Sequence, residues 1–263
     1  MDEGLRTLSR ALWEARRTGR SVESAGHRLP LDRDEAYAVQ REVIALSGSA
    51  PCGYKIGSTS AEAQRILGTT EPGAGRLVTS FTHASPARLP IAAAHGPAVE
   101  GEFAFRLGRD LPARVTPYAP EDISAAIEAV AGAIEMVGSR FAGGLGQQGR
   151  LLTTADSSAH IGLVTGPWHP WRRQDLRPHR VEMFVDGIAR GSGTGARALG
   201  DPLNVLAWLV RHLSAQGQGL LAGEIVATGT CTGLDPVTPG GTATADFGTL
   251  GRVEIAFTAF DGA

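Results

Sequence analysis

Two glutamates one residue apart, Glu100 and Glu102, stand in the stretch VEGEFAF (99–105), whose other members are apolar or glycine. In a strand, residues i and i+2 share a face, so their Cα atoms lie roughly 6.5–7 Å apart and both carboxylates can reach one cation. Oxygen-only donors suit a hard divalent ion; Mg²⁺ typically takes a few carboxylates and keeps waters that a substrate can displace. Glu135, in AIEMV (133–137), is a third carboxylate in apolar surroundings. The competing reading is a solvated strand face plus an unrelated ion-paired glutamate, and E-x-E spacing alone leaves both open. The seven histidines are scattered, which disfavours zinc.

A second feature concerns positive charge. Of 25 Lys plus Arg, 24 are arginine, and the single lysine is Lys55 in GYKIG (53–57). A site that needs a compact ammonium rather than a planar fork would keep one lysine in such a chain. An ordinary exposed lysine is the plainer alternative. The formal net charge of −2 offers no basic field for nucleic acid. Two cysteines, Cys52 and Cys231, make no disulfide framework, so a reducing cytoplasm is the expected compartment. No apolar run approaches the length of a membrane span, so no membrane association is expected.

The elements that must position these groups fall into two textures. Leu5, Leu8, Leu12 and Trp13 recur at helical spacing over 4–18, and Asp32 with Glu35 three residues on marks the start of a second helix. GSAPCG (48–53) breaks that helix, so residues 1–50 read as a helical prefix to a second domain over 51–263. VEGEFAFRL then alternates as a strand, and EDISAAIEAVAGA (121–133) reads as a helix leading into the strand AIEMVGSRF. Residues 161–165 and 181–185 are strand-like, and Asp186-Gly187 is a hairpin turn. Asp201-Pro202 caps a helix with the stripe Leu203, Leu206, Val210 and Leu213. EIVATGT, TATADF and RVEIAFTAF complete a set of short strands. The fold class is α+β with a rolled or barrel-like mixed sheet. No dinucleotide fingerprint in a strand-to-helix setting and no P-loop is present.

Five segments occur in a characteristic order: GYKIGSTS (53–60), VEGEFAFRLGRDLP (99–112), AIEMVGSRF (133–141), GSGTGARALGDPLNVLAWL (191–209) and IVATGTCTG (225–233). Together they resemble the 2-keto-4-pentenoate hydratase / 4-oxalocrotonate decarboxylase family, a branch of the fumarylacetoacetate hydrolase superfamily. The resemblance covers nearly the whole chain, including DEAYAVQREV (34–43) in the prefix. It implies a fumarylacetoacetate hydrolase-like β-roll. It also implies that Glu100, Glu102 and Glu135 are ligands of Mg²⁺ or Mn²⁺, and that Lys55 lies near the substrate carboxylate or enolate. Thr228, Gly229 and Thr230 would hold the 2-oxo acid end, and Asp156 and His160 are catalytic candidates.

The implied activity is a metal-dependent hydratase of aromatic-compound catabolism. It adds water to a 2-hydroxydienoate or 2-oxo-4-enoate through a metal-stabilised enolate and gives a 4-hydroxy-2-oxo acid. Alternatives are a 4-oxalocrotonate-type decarboxylase, an acylpyruvate C–C hydrolase or tautomerase, and a catalytically silent partner subunit. The expected partner is a small 2-oxo acid, with assembly as a homo-oligomer or a hydratase–decarboxylase complex.

The chain also departs from the family pattern. Thr79 and Ser80 stand where relatives often carry an acidic pair, Ser157 where Asn follows the Asp, and Gly138 where an acidic residue often follows IEMV. The proton-transfer group is therefore open, with His95 and His160 as candidates beside the motifs. Trp168 and Trp171 read as loop packing and Cys231 as a pocket lining without nucleophilic activation. Arg172-Arg173 reads as a solvated pair, or as a site for a distal carboxylate if the substrate is a diacid.

Overall fold

The computed structural model describes residues 1–261. Six helices run over Glu3–Thr18 (α1), Arg33–Leu46 (α2), Ala61–Ile66 (α3), Pro120–Ala126 (α4), Gly149–Ala155 (α5) and Pro202–Ser214 (α6). The first strands are Pro51–Gly57 (β1), Gly73–Val78 (β2), Thr82–Ala84 (β3), Ala87–Ile91 (β4), Ala98–Leu107 (β5), Ile127–Val137 (β6) and His160–Thr165 (β7). They are followed by His169–Pro170 (β8), Arg180–Val185 (β9), Ile188–Thr194 (β10), Ile225–Ala227 (β11), Asp235–Pro236 (β12), Thr242–Asp246 (β13) and Arg252–Ala259 (β14).

One mixed sheet has the order β2-β1-β11-β5-β6-β7-β3, with β12 pairing β5 and β8 pairing β6; a second has the order β10-β9-β13-β14-β4. The alternation of β5 explains how they meet. Val99, Phe103, Phe105 and Leu107 belong to the main core, together with Val181, Met183, Ala245 and Phe247 from the second sheet region. Contact there is close: a Cβ on Gly132 of β6 would lie 2.3 Å from the Phe247 ring. The opposite face of the first sheet carries small or modest residues, Ala104, Ala133, Ala227, Leu77 and Leu163. That choice lets the sheet curl around a narrow interior.

The sequence-predicted helices are present with their caps. Asp32 Oδ1 accepts the Glu35 amide at 2.9 Å, while the Glu35 carboxylate accepts the Leu31 amide at 2.8 Å, one residue upstream of the reciprocal partner a capping box would use. Asp201 caps α6 through the Leu203 amide. Asp186 and Gly187, at φ +52° and +75°, make the turn between β9 and β10, as a hairpin turn with two left-handed residues requires. One expectation shifts. EDISAAIEAVAGA stops being helical at Ala126, and β6 begins at Ile127. Pairing with β5 from Leu107↔Ile127 onward overrides the helix preference of its alanines.

The helices of the prefix share an apolar cluster with later chain. Leu5, Leu8 and Leu12 of α1 and Ala36, Val39 and Val43 of α2 pack with Phe141 and Ala155. A buried polar joint completes the contact. The Arg140 amide and Nε both donate to the Asp156 carboxylate, Nη1 donates to the His160 carbonyl at 2.9 Å and Nη2 to the Asp156 carbonyl at 2.7 Å. From α1, Arg16 donates to the carbonyls of His160 and Ile161 and lies 3.8 Å over the Phe81 ring centre. Burial, with Arg140 nearby, lowers Arg16 to about 9. Removing one member of such a buried pair strands the other. Arg140→Met is expected to destabilise the protein by about 3–5 kcal/mol, read as a lowered midpoint in urea unfolding.

Candidate active site

The carboxylates named from sequence share one face. Glu100 and Glu102 are two apart in β5, and Glu135 of β6 is the register partner of Glu100. Lys55 reaches them from across the hollow of the sheet. In register, Lys55 of β1 aligns with Ala227 of β11, then Ala104 of β5, then Ala131 of β6. On a flat sheet, three strand spacings and four residues would separate the Lys55 and Glu135 Cα atoms by about 20 Å. Lys55 Nζ is nonetheless 3.0 Å from Glu135 Oε1. Curling of the sheet makes the contact, and the small Ala104, Ala133 and Ala227 leave room for it.

Glycines make way for the lysine stem. A Cβ on Gly75 of β2 would sit 3.2 Å from Lys55 Cδ and 2.6 Å from the Ser157 carbonyl. The segment that supplies this carbonyl is unusual. Ser157, Ser158 and Ala159 have φ of +51°, +54° and +64°, a left-handed run with no glycine that costs of order 1–2 kcal/mol per residue. Ser158 Oγ donates to the Ala74 carbonyl at 2.8 Å, one of the contacts that hold the run. Sequence reading finds Ser157 only as a departure from a pattern; its backbone conformation leaves no signal there.

Electrostatics separate the three glutamates. Burial and the Glu135 charge push Glu100 up to about 8, against Lys55 and Arg197. Glu102, buried beside Glu135 and Glu100, is held well above the usual carboxylate range. Burial pushes Glu135 up as well, but Lys55 and the His160 hydrogen bond outweigh it and leave it below the usual range. His160 Nδ1 lies 2.8 Å from Glu135 Oε1, and burial lowers the ring to about 4. The imidazole is thus neutral at pH 7, and the hydrogen-bonding requirement places its proton on Nδ1. The Glu102 carboxylate accepts the Gly229 amide.

Three buried atoms are left over: Glu102 Oε1, Glu135 Oε2 and His160 Nε2 have no partner. Two unpaired carboxylate oxygens on a shared face, with Glu100 alongside, form an all-oxygen donor set that suits a hard cation. As they stand, no three His, Cys, Asp or Glu side chains among the described residues are gathered tightly enough to enclose an ion. Lys55 and His160 both engage Glu135 Oε1, and Gly229 engages Glu102 Oε2.

The face borders a cleft whose lining includes Lys55, Glu100 and Asp156 and the apolar Ala63, Ile66, Leu67, Val137 and Leu145. Ser58, Gly73 and Arg150 also line it. Other residues named from sequence are engaged by the protein itself. Asp156 lines the cleft, but both of its oxygens are taken by Arg140. His160 sits behind Glu135 and lines a separate small pocket with Arg16 and Phe81. Thr228 and Thr230 hydroxyls donate to the carbonyls of Phe103 and Gly233, and Gly229 is kept side-chain-free by Thr59, whose Oγ1 would lie 2.3 Å from a Cβ there.

The remaining candidates are also placed. His95 Nε2 is bonded to the Arg20 carbonyl, and Gly138 has no room for a side chain because a Cβ would meet the His95 carbonyl at 2.8 Å. Thr79 and Ser80 are exposed and bonded to Ser49. Trp171 donates to Ser124 Oγ and packs edge-on against Phe105, while Arg106 lies over Trp168; both tryptophans are packing residues. Arg172 and Arg173 are exposed and outside the cleft lining, where Arg150, not singled out from sequence, stands instead. Cys231 is buried, and burial raises its thiol pKa, which leaves no thiolate to attack.

Comparison with known proteins agrees with this architecture. Residues 71–258 match the fumarylacetoacetate (FAA) hydrolase C-terminal family. A 2-keto-4-pentenoate hydratase of Burkholderia vietnamiensis is 34% identical over 98% of each chain, and a 4-oxalocrotonate decarboxylase of a Pseudomonas species is 30% identical over 85% of this chain and 86% of its own. The structure of 4-oxalocrotonate decarboxylase from Pseudomonas putida G7, complexed with magnesium and adipate, superposes with a TM-score of 0.87 at 25% identity over 98% of both chains. With the curled sheet, the prefix helices and the glutamate face all in the expected order, the chain belongs to the 2-keto-4-pentenoate hydratase / 4-oxalocrotonate decarboxylase branch of the fumarylacetoacetate hydrolase superfamily.

Proposed function

We propose that this protein is a divalent-metal-dependent hydratase that adds water to a 2-hydroxydienoate or 2-oxo-4-enoate and releases a 4-hydroxy-2-oxo acid. The observation that carries the reading is the pairing of Lys55 with Glu135, on the sheet face that Glu135 shares with Glu100 and Glu102, beside a cleft that Lys55 and Glu100 line. The hydratase relatives that align along nearly the whole chain support it. Glu100, Glu102 and Glu135 would hold Mg²⁺ or Mn²⁺; the solved relatives carry magnesium, calcium or manganese. Bound there, the ion supplies Lewis acidity toward negative charge on the 2-oxo oxygen.

The chain's own groups do the rest. Glu135 pins the Lys55 ammonium at 3.0 Å, so a fixed positive charge faces the substrate as its oxygen gains negative character. His160 orients Glu135 through its Nδ1 proton, a positioning role rather than a direct one. Ala63, Ile66, Leu67 and Leu145 of the cleft lining offer the conjugated chain apolar contacts, beside which that charge acts more strongly.

One observation favours a second reading, decarboxylation of a 4-oxalocrotonate-type acid. The ionisable side chains lining the cleft are Lys55, Glu100, Arg150 and Asp156, and Asp156 is spent on Arg140. Loss of CO₂ generates an enolate without removing a proton, whereas hydration must both protonate carbon and direct a water.

The decisive experiment supplies 2-hydroxypenta-2,4-dienoate with Mg²⁺ and follows the dienol absorbance with product identification; 4-hydroxy-2-oxopentanoate is expected. Release of CO₂ from 4-oxalocrotonate with no hydration would instead establish the second reading. Glu102→Gln is expected to weaken Mn²⁺ binding at least tenfold in calorimetry and to abolish turnover while the circular dichroism spectrum is kept; unchanged metal affinity would remove Glu102 from the ligand set. Lys55→Arg is expected to lower kcat by about 10²–10³, because the wider guanidinium cannot fit between Gly57 and Gly75.

A further inference from the structure

Arg150 is the cation of the cleft that nothing above uses. It projects from the first turn of α5 into the wall lined by Ser58, Gly73 and Thr153. Its guanidinium lies on a glycine: a Cβ on Gly73 would sit 2.1 Å from Nη2, 2.5 Å from Cζ and 2.8 Å from Nη1. Nη1 donates to Ser58 Oγ at 3.1 Å, and Nη2 is buried with no acceptor. Other arginines of the chain meet carboxylates, as Arg140 does with Asp156 and Arg76 with Glu224. Among the described residues no carboxylate lies within ion-pair distance of Arg150. A half-buried, unpaired guanidinium with an orphaned donor is costly unless something else supplies the anion.

Position says which anion. Gly73 and Gly75 share a face of β2, about 7 Å apart from the rise per residue; the Lys55 stem crosses Gly75 and the Arg150 head lies on Gly73. Gly57 is the register partner of Gly73, and a Cβ there would lie 3.6 Å from Lys55 Nζ. With cross-strand Cβ spacing of about 5 Å, the ammonium and the Arg150 Nη2 are no more than roughly 11 Å apart. The same cleft is lined by apolar side chains, among them Ala63, Ile66 and Leu67. The cleft lining thus holds two cations within that span together with apolar side chains, a pattern that matches a short conjugated chain ending in a carboxylate on each side.

Resting on the enolate reading above, we propose that the substrate is a dicarboxylate, a 2-oxo-enedioate or its dienol, and that Arg150 with Ser58 receives the distal carboxylate. A guanidinium takes that group through two parallel N–H donors, and the orphaned Nη2 is one of them. Arg172 and Arg173, the pair that sequence reading offers for this task, are outside the cleft.

The test compares kcat/KM for 2-hydroxyhepta-2,4-diene-1,7-dioate and for 2-hydroxypenta-2,4-dienoate, which lacks the distal carboxylate, in the wild-type protein with Mg²⁺ and in Arg150→Met and Arg150→Lys. The wild type is expected to favour the dioate at least tenfold, and Arg150→Met to cut that ratio by about 10–100-fold, with Arg150→Lys in between. A wild-type preference for the monoacid, or a ratio unmoved by Arg150→Met, overturns the proposal while leaving the hydratase reading intact. Calorimetric binding of adipate against hexanoate to the same three proteins is independent of turnover. Adipate binding that weakens tenfold or more in Arg150→Met upholds the proposal even if neither dienoate is hydrated and the hydratase reading fails; equal adipate binding by wild type and variant overturns it.

Discussion

The contact between Lys55 and Glu135 organises this molecule. Their strands are three apart in the first sheet, and a flat sheet would keep the two side chains from touching. The sheet must curl, its inner face must be lined by small residues, and the neighbouring glycines must leave a channel for a four-carbon stem. All three conditions are met, by Ala104, Ala133 and Ala227 and by Gly57 and Gly75. A buried ion pair is seldom a net source of stability, since desolvation offsets attraction. Its retention where Glu102 and Glu100 crowd the same face makes better sense as preorganised charge than as structural glue.

That charge is embedded in layers of support. His160 braces Glu135 from behind, and the His160 carbonyl is in turn gripped by Arg140 and by Arg16 from the first helix. Asp156 closes this network by neutralising Arg140. The prefix therefore reaches the site through backbone carbonyls rather than through a side chain in the cleft. The left-handed run at Ser157–Ala159 lies between Asp156 and His160, so the strain it holds is confined by hydrogen bonds on both flanks. Non-glycine residues in such conformations persist where the surroundings over-determine them.

Much of this was legible in the sequence, for identifiable reasons. The helices α1, α2 and α6 carry periodic apolar stripes, and for α2 and α6 the Asp32 and Asp201 caps agree with them. The alternation of VEGEFAF set Glu100 and Glu102 on one face, and the sole lysine pointed to Lys55. Register was out of reach, because only the folded sheet says that Glu135 lies opposite Glu100. The roles of Asp156 and His160 depend on Arg140, whose burial nothing in SRF advertises, and so the sequence placed them nearer the substrate than their hydrogen bonds do. Arg150 was missed because it sits in a glycine-rich stretch, GGLGQQGR, without periodicity to mark it as a wall of anything.

The scarcity of lysine has a practical side. A chain with 24 arginines and one lysine offers amine-directed reagents a single side chain, and that side chain is only 2% exposed. Acylation of Lys55 in the folded protein can proceed only as fast as the cleft admits the reagent, so its rate measures breathing of the site with no engineered label. Protection by bound ligand would show up as a slower reaction at one residue, readable from the mass of the Lys55 peptide.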